Sequence, residues 1–185
     1  MRHALTLLLA FATGVVPAQG PERDAATALG FSRSMSIPLN AVQFFDRASE
    51  AWTWTFGKEP GAKLKLSDRG SGVLEGSARV NFRSTMLTGR EESMGSITYH
   101  VRLQTHAGEC RAVISGLIHA GNRTTHTGGI NLGTIMRNDK DVASVPGMSR
   151  MNLVRLHTEV REVATSRINA LLQAMEARIR ASVEP

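Results

Sequence analysis

What the chain has least of bounds it first. One cysteine, Cys110, stands in 185 residues, so no disulfide can form within the chain and packing must hold it together. No stretch reaches the ~20 apolar residues that a helix needs to cross a bilayer. The nearest, residues 4–16, is too short. Aromatic side chains are few, and most fall between Phe44 and Phe56. Little is left elsewhere to stack on bases, so nucleic acid is not an expected partner. The close His and Cys spacings of a zinc site are missing, as is a Gly-x-Ser-x-Gly nucleophile turn. Gly128-Gly-Ile-Asn-Leu-Gly133 has the glycines of a phosphate loop, but no clear strand leads into it and no helix pattern follows. The chain is therefore expected to carry no metal, no cofactor and no catalytic constellation.

What is present starts with an export pattern. Residues 1–18 have a basic start at Arg2 and His3, the apolar run, and Val16-Pro-Ala18 with small residues where a signal peptidase cuts. The mature chain is expected to begin near Gln19 and to be released to the periplasm or medium. A lipid anchor would need a cysteine directly after the signal, and Cys110 lies far downstream. The formal charge of +6 becomes +5 once Arg2 is lost (6 − 1), which favours anionic surfaces or polymers. Residues 19–30 read as a flexible lead-in and residues 31–182 as one domain with a single core.

The core centres on residues 40–76. Phe45, Ala48, Trp52 and Phe56 recur at helical spacing, and large rings on one face mark a buried helix. Asn40 with Gln43 three residues on forms a capping box, and Gly57 stands where a left-handed stop is expected. Ahead of the helix, Met35, Ile37 and Leu39 alternate as a first strand that ends near Pro38. After it, Leu64 and Leu66 alternate with Lys63 and Lys65, and Leu74, Ala78, Val80 and Phe82 alternate with Glu75, Ser77, Arg79 and Asn81. Ile97, Tyr99, Val101 and Leu103 give the clearest strand, and residues 110–119 a less regular one. Period-two alternation implies antiparallel strands with one buried face and one wet face.

A glycine- and threonine-rich connection follows, with a short strand near residues 130–136. Residues 149–180 contain neither Gly nor Pro and carry a helical stripe through Leu153, Leu156, Val160, Val163, Ile168, Leu171, Leu172, Met175 and Ile179. Such a helix would run about 45 Å, longer than a domain of this size. Its first half is expected to dock on the sheet and its far end to project or meet a partner. The fold class is thus α+β, a sheet of about five strands with two helices on one face.

This order of elements, with the aromatic helix Phe44-Phe45-Asp-Arg-Ala48 leading to Trp52 and Phe56, resembles the bacterial domain of unknown function 4468 family. Asp68 with Gly72-Val-Leu-Glu-Gly76 is similar to that family's hairpin. Ile97-Thr-Tyr99-His-Val101 with Gly108-Glu-Cys110-Arg111 is similar to its later strand and turn. Cys110 stands where the family usually has an aromatic residue, and the lipoprotein cysteine common among its relatives is missing. The resemblance spans residues 31–175. It implies a curved, TATA-box-binding-protein-like sheet and an envelope location, with no assigned activity. DNA binding does not follow, since function belongs to sites and not to folds.

Two classes of residue remain as site candidates. His100, His119 and His126 would have to converge across strands to make a metal or acid–base centre. The wet face offers Lys63, Lys65, Arg79, His100 and Arg102, a set suited to an anionic or polar ligand. The first expectation is an exported, non-catalytic binding or interaction module whose partner is a protein or an anionic envelope ligand. A secreted hydrolase with a hidden site is second, and an exported anion binder third.

Overall fold

The computed structural model describes residues 27–86, 91–125 and 128–182. The export signal, its cleavage near Ala18 and Gln19, most of the lead-in and His126 lie outside the described residues.

Among the described residues six antiparallel strands form one sheet. β1 (Phe31–Ser36) is followed by α1 (Ala41–Trp54), β2 (Lys63–Asp68), β3 (Val73–Phe82), β4 (Gly95–His106), β5 (Glu109–Gly121), the two-residue β6 (Gly133–Thr134) and α2 (Arg150–Ala181). The spatial order is β1-β5-β4-β3-β2, with β6 on the same edge of β5 as β1 but further along it. The less regular strand of the sequence, β5, does lie mid-sheet. Its irregularity is one inserted residue, because Thr98 pairs with Ile118 but His100 pairs with Ser115. Gly116 takes up the bulge at φ +62, where a Cβ would also meet the His100 ring at 2.9 Å. The extra residue lets Ile114 and Leu117 both face the core.

Both helices pack on the other side of the strands from Lys63, Arg79, His100 and Arg102. α1 begins as the capping box specifies: the Gln43 amide donates to Asn40 Oδ1 at 2.9 Å, and the Asn40 amide to Gln43 Oε1 at 3.3 Å. Its buried face holds Phe44, Phe45, Ala48, Ala51 and Trp52, continued by Phe56. The expected glycine stop is not used. The helix ends at Trp54, and Thr55 closes it by donating its hydroxyl to the Ala51 carbonyl at 2.7 Å. Gly57 serves close approach instead, since a Cβ there would lie 3.1 Å from the Trp52 carbonyl oxygen.

Two further expectations are corrected. Leu64 and Leu66 do not share a buried face. The register of β2 slips by one residue between them, so Leu64 pairs with Gly76 but Leu66 with Glu75, a residue of the open face. Both leucines are nearly half exposed on this edge strand, where Lys63 and Lys65 discourage pairing with another chain. Nor does α2 project. Leu153, Leu156, Val160, Ala164, Ile168, Leu171, Leu172, Met175 and Ile179 are all buried, along nearly the full ~48 Å of a 32-residue helix. Ala164, fully buried, carries the stripe from Val160 to Ile168, while Val163 is only half-buried. The far end is held by Arg167 on Glu59 and by Arg33 of β1 on Glu176.

Near the start of α2, the buried Glu159 carboxylate ties the segment after β3. It accepts from Ser84 Oγ at 2.5 Å and Thr85 Oγ1 at 2.7 Å. Burial alone would raise its pKa, but these hydroxyls, with the backbone amides of Thr85 and Met86, outweigh that and hold the carboxyl below its usual range.

Candidate functional site

The histidines do not assemble. His100 projects from β4 on the open face, whereas His119, beyond the Gly116 bulge, points into the core and is fully buried. Its ring meets Phe82 edge-on at 5.4 Å, and neither of its ring nitrogens has a hydrogen-bond partner among the described residues. His157 is also buried, but it is used structurally. Its Nε2 accepts from the Met136 amide at 3.1 Å and its Nδ1 lies 3.2 Å from Asp139. Among the described residues no three His, Cys, Asp or Glu side chains are placed to hold a metal ion.

His119 carries a pH dependence whose sign is fixed. Burial pushes the imidazole down from 6.5 to about 4, so the folded chain keeps it neutral while the unfolded chain takes a proton near 6.5. Stability from this group is full above about pH 6.5 and is lost as pH falls toward 4. By linkage the loss at pH 4.5 is roughly 2–3 kcal/mol. Denaturant titrations at pH 7.5 and 4.5 measure it. The His119→Leu variant is expected to lose distinctly less than the parent over the same interval, and an equal loss would remove His119 as the cause.

The open face is built by register. Lys63 pairs with Ser77, which pairs with His100. One row along, Glu75 pairs with Arg102 and binds its guanidinium at 2.5 Å, so Arg102 is already neutralised. Two residues the other way Arg79 pairs with Thr98, which pairs with Ile118. Lys65 sits in the bulge of β2. All five sequence candidates are exposed, yet they do not form one cluster.

A concavity on this face lies at one end of it. Phe82 pairs with Gly95, and Gly95 with Gly121, so the chain leaves β3 and β5 at neighbouring points. Arg83 and Arg123 emerge there beside Arg79. Together with Asn81, Ser96 and Asn122 they line a groove of about 820 Å³. None of the three guanidinium groups has a hydrogen-bond or carboxylate partner among the described residues. Arg83 and Arg123 escape a sequence reading because each lies just past a strand end, and only the strand pairing shows that those ends coincide. A second exposed feature, Trp54 on α1, is already covered by its own cations, Lys58 at 4.5 Å and Arg178 at 5.5 Å from its ring.

No family model and no curated protein matches the chain. Solved structures do. A TBP-like protein from Parabacteroides distasonis aligns with TM-score 0.56 at 11% identity, covering 80% of this chain and 93% of that one. A DUF4468 family protein from Bacteroides ovatus aligns with TM-score 0.51 at 16% identity, covering 84% and 89%. These likenesses establish the α+β, TBP-like fold that the order of elements suggested.

Proposed function

We propose that the chain is an exported, non-catalytic binding module of the bacterial cell envelope, whose uncovered sheet face takes an anionic ligand. The observation that carries this reading is the contrast between the two faces of one sheet. One is sealed by α1 and α2. The other is covered by no element among the described residues and presents Lys63, Lys65 and Arg79 without carboxylate partners. A face that needed only to be solvated would be served by mixed, mutually paired charge, as Asp46 with Arg69 shows elsewhere in the chain; on the open face itself Glu75 pairs with Arg102 and leaves those three cations unpaired. The export half of the reading rests on residues 1–18, and the mass of the mature N-terminus, expected at or next to Gln19, checks it.

Calorimetric titration with dextran sulfate tests the binding half. Binding is expected at low salt and should weaken steeply as salt rises, since screened cations release a polyanion. Arg79→Glu should weaken it at least tenfold. Retention of affinity by that variant, or no binding at any salt, would remove the open face as the binding surface.

A further inference from the structure

Resting on the reading of the open face as a binding surface, we infer that its ligand seats in the groove at the ends of β3, β4 and β5 and carries more than one phosphate or sulfate group. What marks this groove is that three arginines without a carboxylate meet in it; Arg111, Arg137, Arg150 and Arg178 also lack one among the described residues, but they are engaged by the Ser32 hydroxyl, by backbone carbonyls or by the Trp54 ring. Arg33, Arg69, Arg102, Arg161, Arg167 and Arg180 each contact a carboxylate. Among the described residues Arg79, Arg83 and Arg123 contact none, although they line one concavity, and no described Asp or Glu lines it with them. Three unneutralised cations on one groove repel one another and raise the local positive potential, which an anion relieves.

The hydrogen-bonding character narrows the chemistry. Guanidinium groups only donate, in a planar fork that matches oxyanions. Asn122 adds to this. Its Oδ1 already accepts from the Thr124 amide at 3.1 Å and the Thr124 hydroxyl at 2.7 Å, so the end left for a ligand is its NH₂. A groove rich in donors suits a ligand rich in acceptor oxygens, whereas a neutral sugar would need acceptors for its own hydroxyls. Among the described residues no carboxylate lines it to hold the magnesium of a nucleoside triphosphate, and Phe82, the aromatic residue of the described lining, is 3% exposed and unable to stack on a base. The size of the groove matches ligands well above a single phosphate, since sites of ~300–1,000 Å³ take molecules of drug size. Three arginines, two at the end of β3 and one beyond β5, match several charged groups better than one.

The full mature chain at 0.15 M salt is titrated with inorganic phosphate, tripolyphosphate, a sulfated oligosaccharide and phosphatidylglycerol vesicles. At least one multiply charged probe is expected to bind tenfold or more tightly than inorganic phosphate, and the tightest of the three identifies the source of the groups. The double variant Arg83→Ala/Arg123→Ala should lose at least tenfold for that probe, while Lys63→Ala/Lys65→Ala on the far strand changes it less than twofold. Both pairs are exposed, and thermal melts confirm that the variants remain folded. If the lysine pair weakens binding and the arginine pair does not, the groove is wrong and the open-face reading stands. If no probe binds the parent, both fall. Probes that all bind no better than inorganic phosphate would overturn the multiply charged ligand.

Discussion

A chain ended after Ser166 will not fold. The far half of α2 buries Ile168, Leu171, Leu172, Met175 and Ile179, each no more than 6% exposed. At ~1.5–3 kcal/mol for each fully buried apolar side chain, roughly 7–15 kcal/mol of burial is removed. That equals the whole stability of a typical domain, about 5–15 kcal/mol. Two cross-links go with it, Arg167 on Glu59 and Arg33 on Glu176. The sheet surface they covered would be left bare, and an exposed apolar patch of that kind drives association. Far-ultraviolet circular dichroism and gel filtration of the shortened chain should show loss of cooperative melting and a shift into aggregates. A soluble monomer with a sharp melt would mean that this half of the helix is dispensable after all.

Trp52→Ala is expected to cost about 3–5 kcal/mol, the range for removing a large ring from a packed core. The indole is 4% exposed and stacks on Phe56 at 5.5 Å between centroids. Phe56 in turn meets Tyr99 of β4 edge-on at 6.3 Å, so the aromatic chain runs from helix to sheet. The sheet is shaped to receive it. Gly76 of β3 lies under the indole, where a Cβ would come within 2.5 Å of the ring. Gly76 has no side chain to swing into the space left by alanine, so a cavity term is expected on top of the lost burial. Urea titration measures the difference, and a change within about 0.5 kcal/mol, typical of surface sites, would show the ring to be peripheral.

How far the sequence carried depended on whether a feature is local. Asn40 with Gln43, the Phe45, Ala48 and Trp52 face, and the alternation through Ile97, Tyr99, Val101 and Leu103 are each set within a few residues, and each is found in the structure. Features belonging to two segments at once were not legible. The slip that separates Leu64 from Leu66 exists only in the pairing of β2 with β3. The Gly116 bulge, which puts His100 and His119 on opposite faces, exists only in the pairing of β4 with β5. The covering of the far end of α2 followed from a stripe that was visible as far as Ile179, but alanine was not counted in it. Ala164 is what keeps the stripe straight, since a small residue lets a helix approach a sheet without breaking the apolar seam. The candidate site divides the same way. Alternation placed Lys63, Arg79, His100 and Arg102 on the wet face. It gave no sign that Glu75 neutralises Arg102, or that Arg83 and Arg123 join Arg79.

The most direct measurement of the open face as a ligand surface is backbone-amide nuclear magnetic resonance of the isotope-labelled mature chain during titration with a sulfated oligosaccharide. The expected result is a set of saturable shifts centred on residues 79–83, 94–98 and 120–124, weaker effects at Lys63 and Lys65, and none along the exposed side of α1 or α2. Shifts that map to the helical side, or that spread evenly over every exposed cation and fail to saturate, would contradict it.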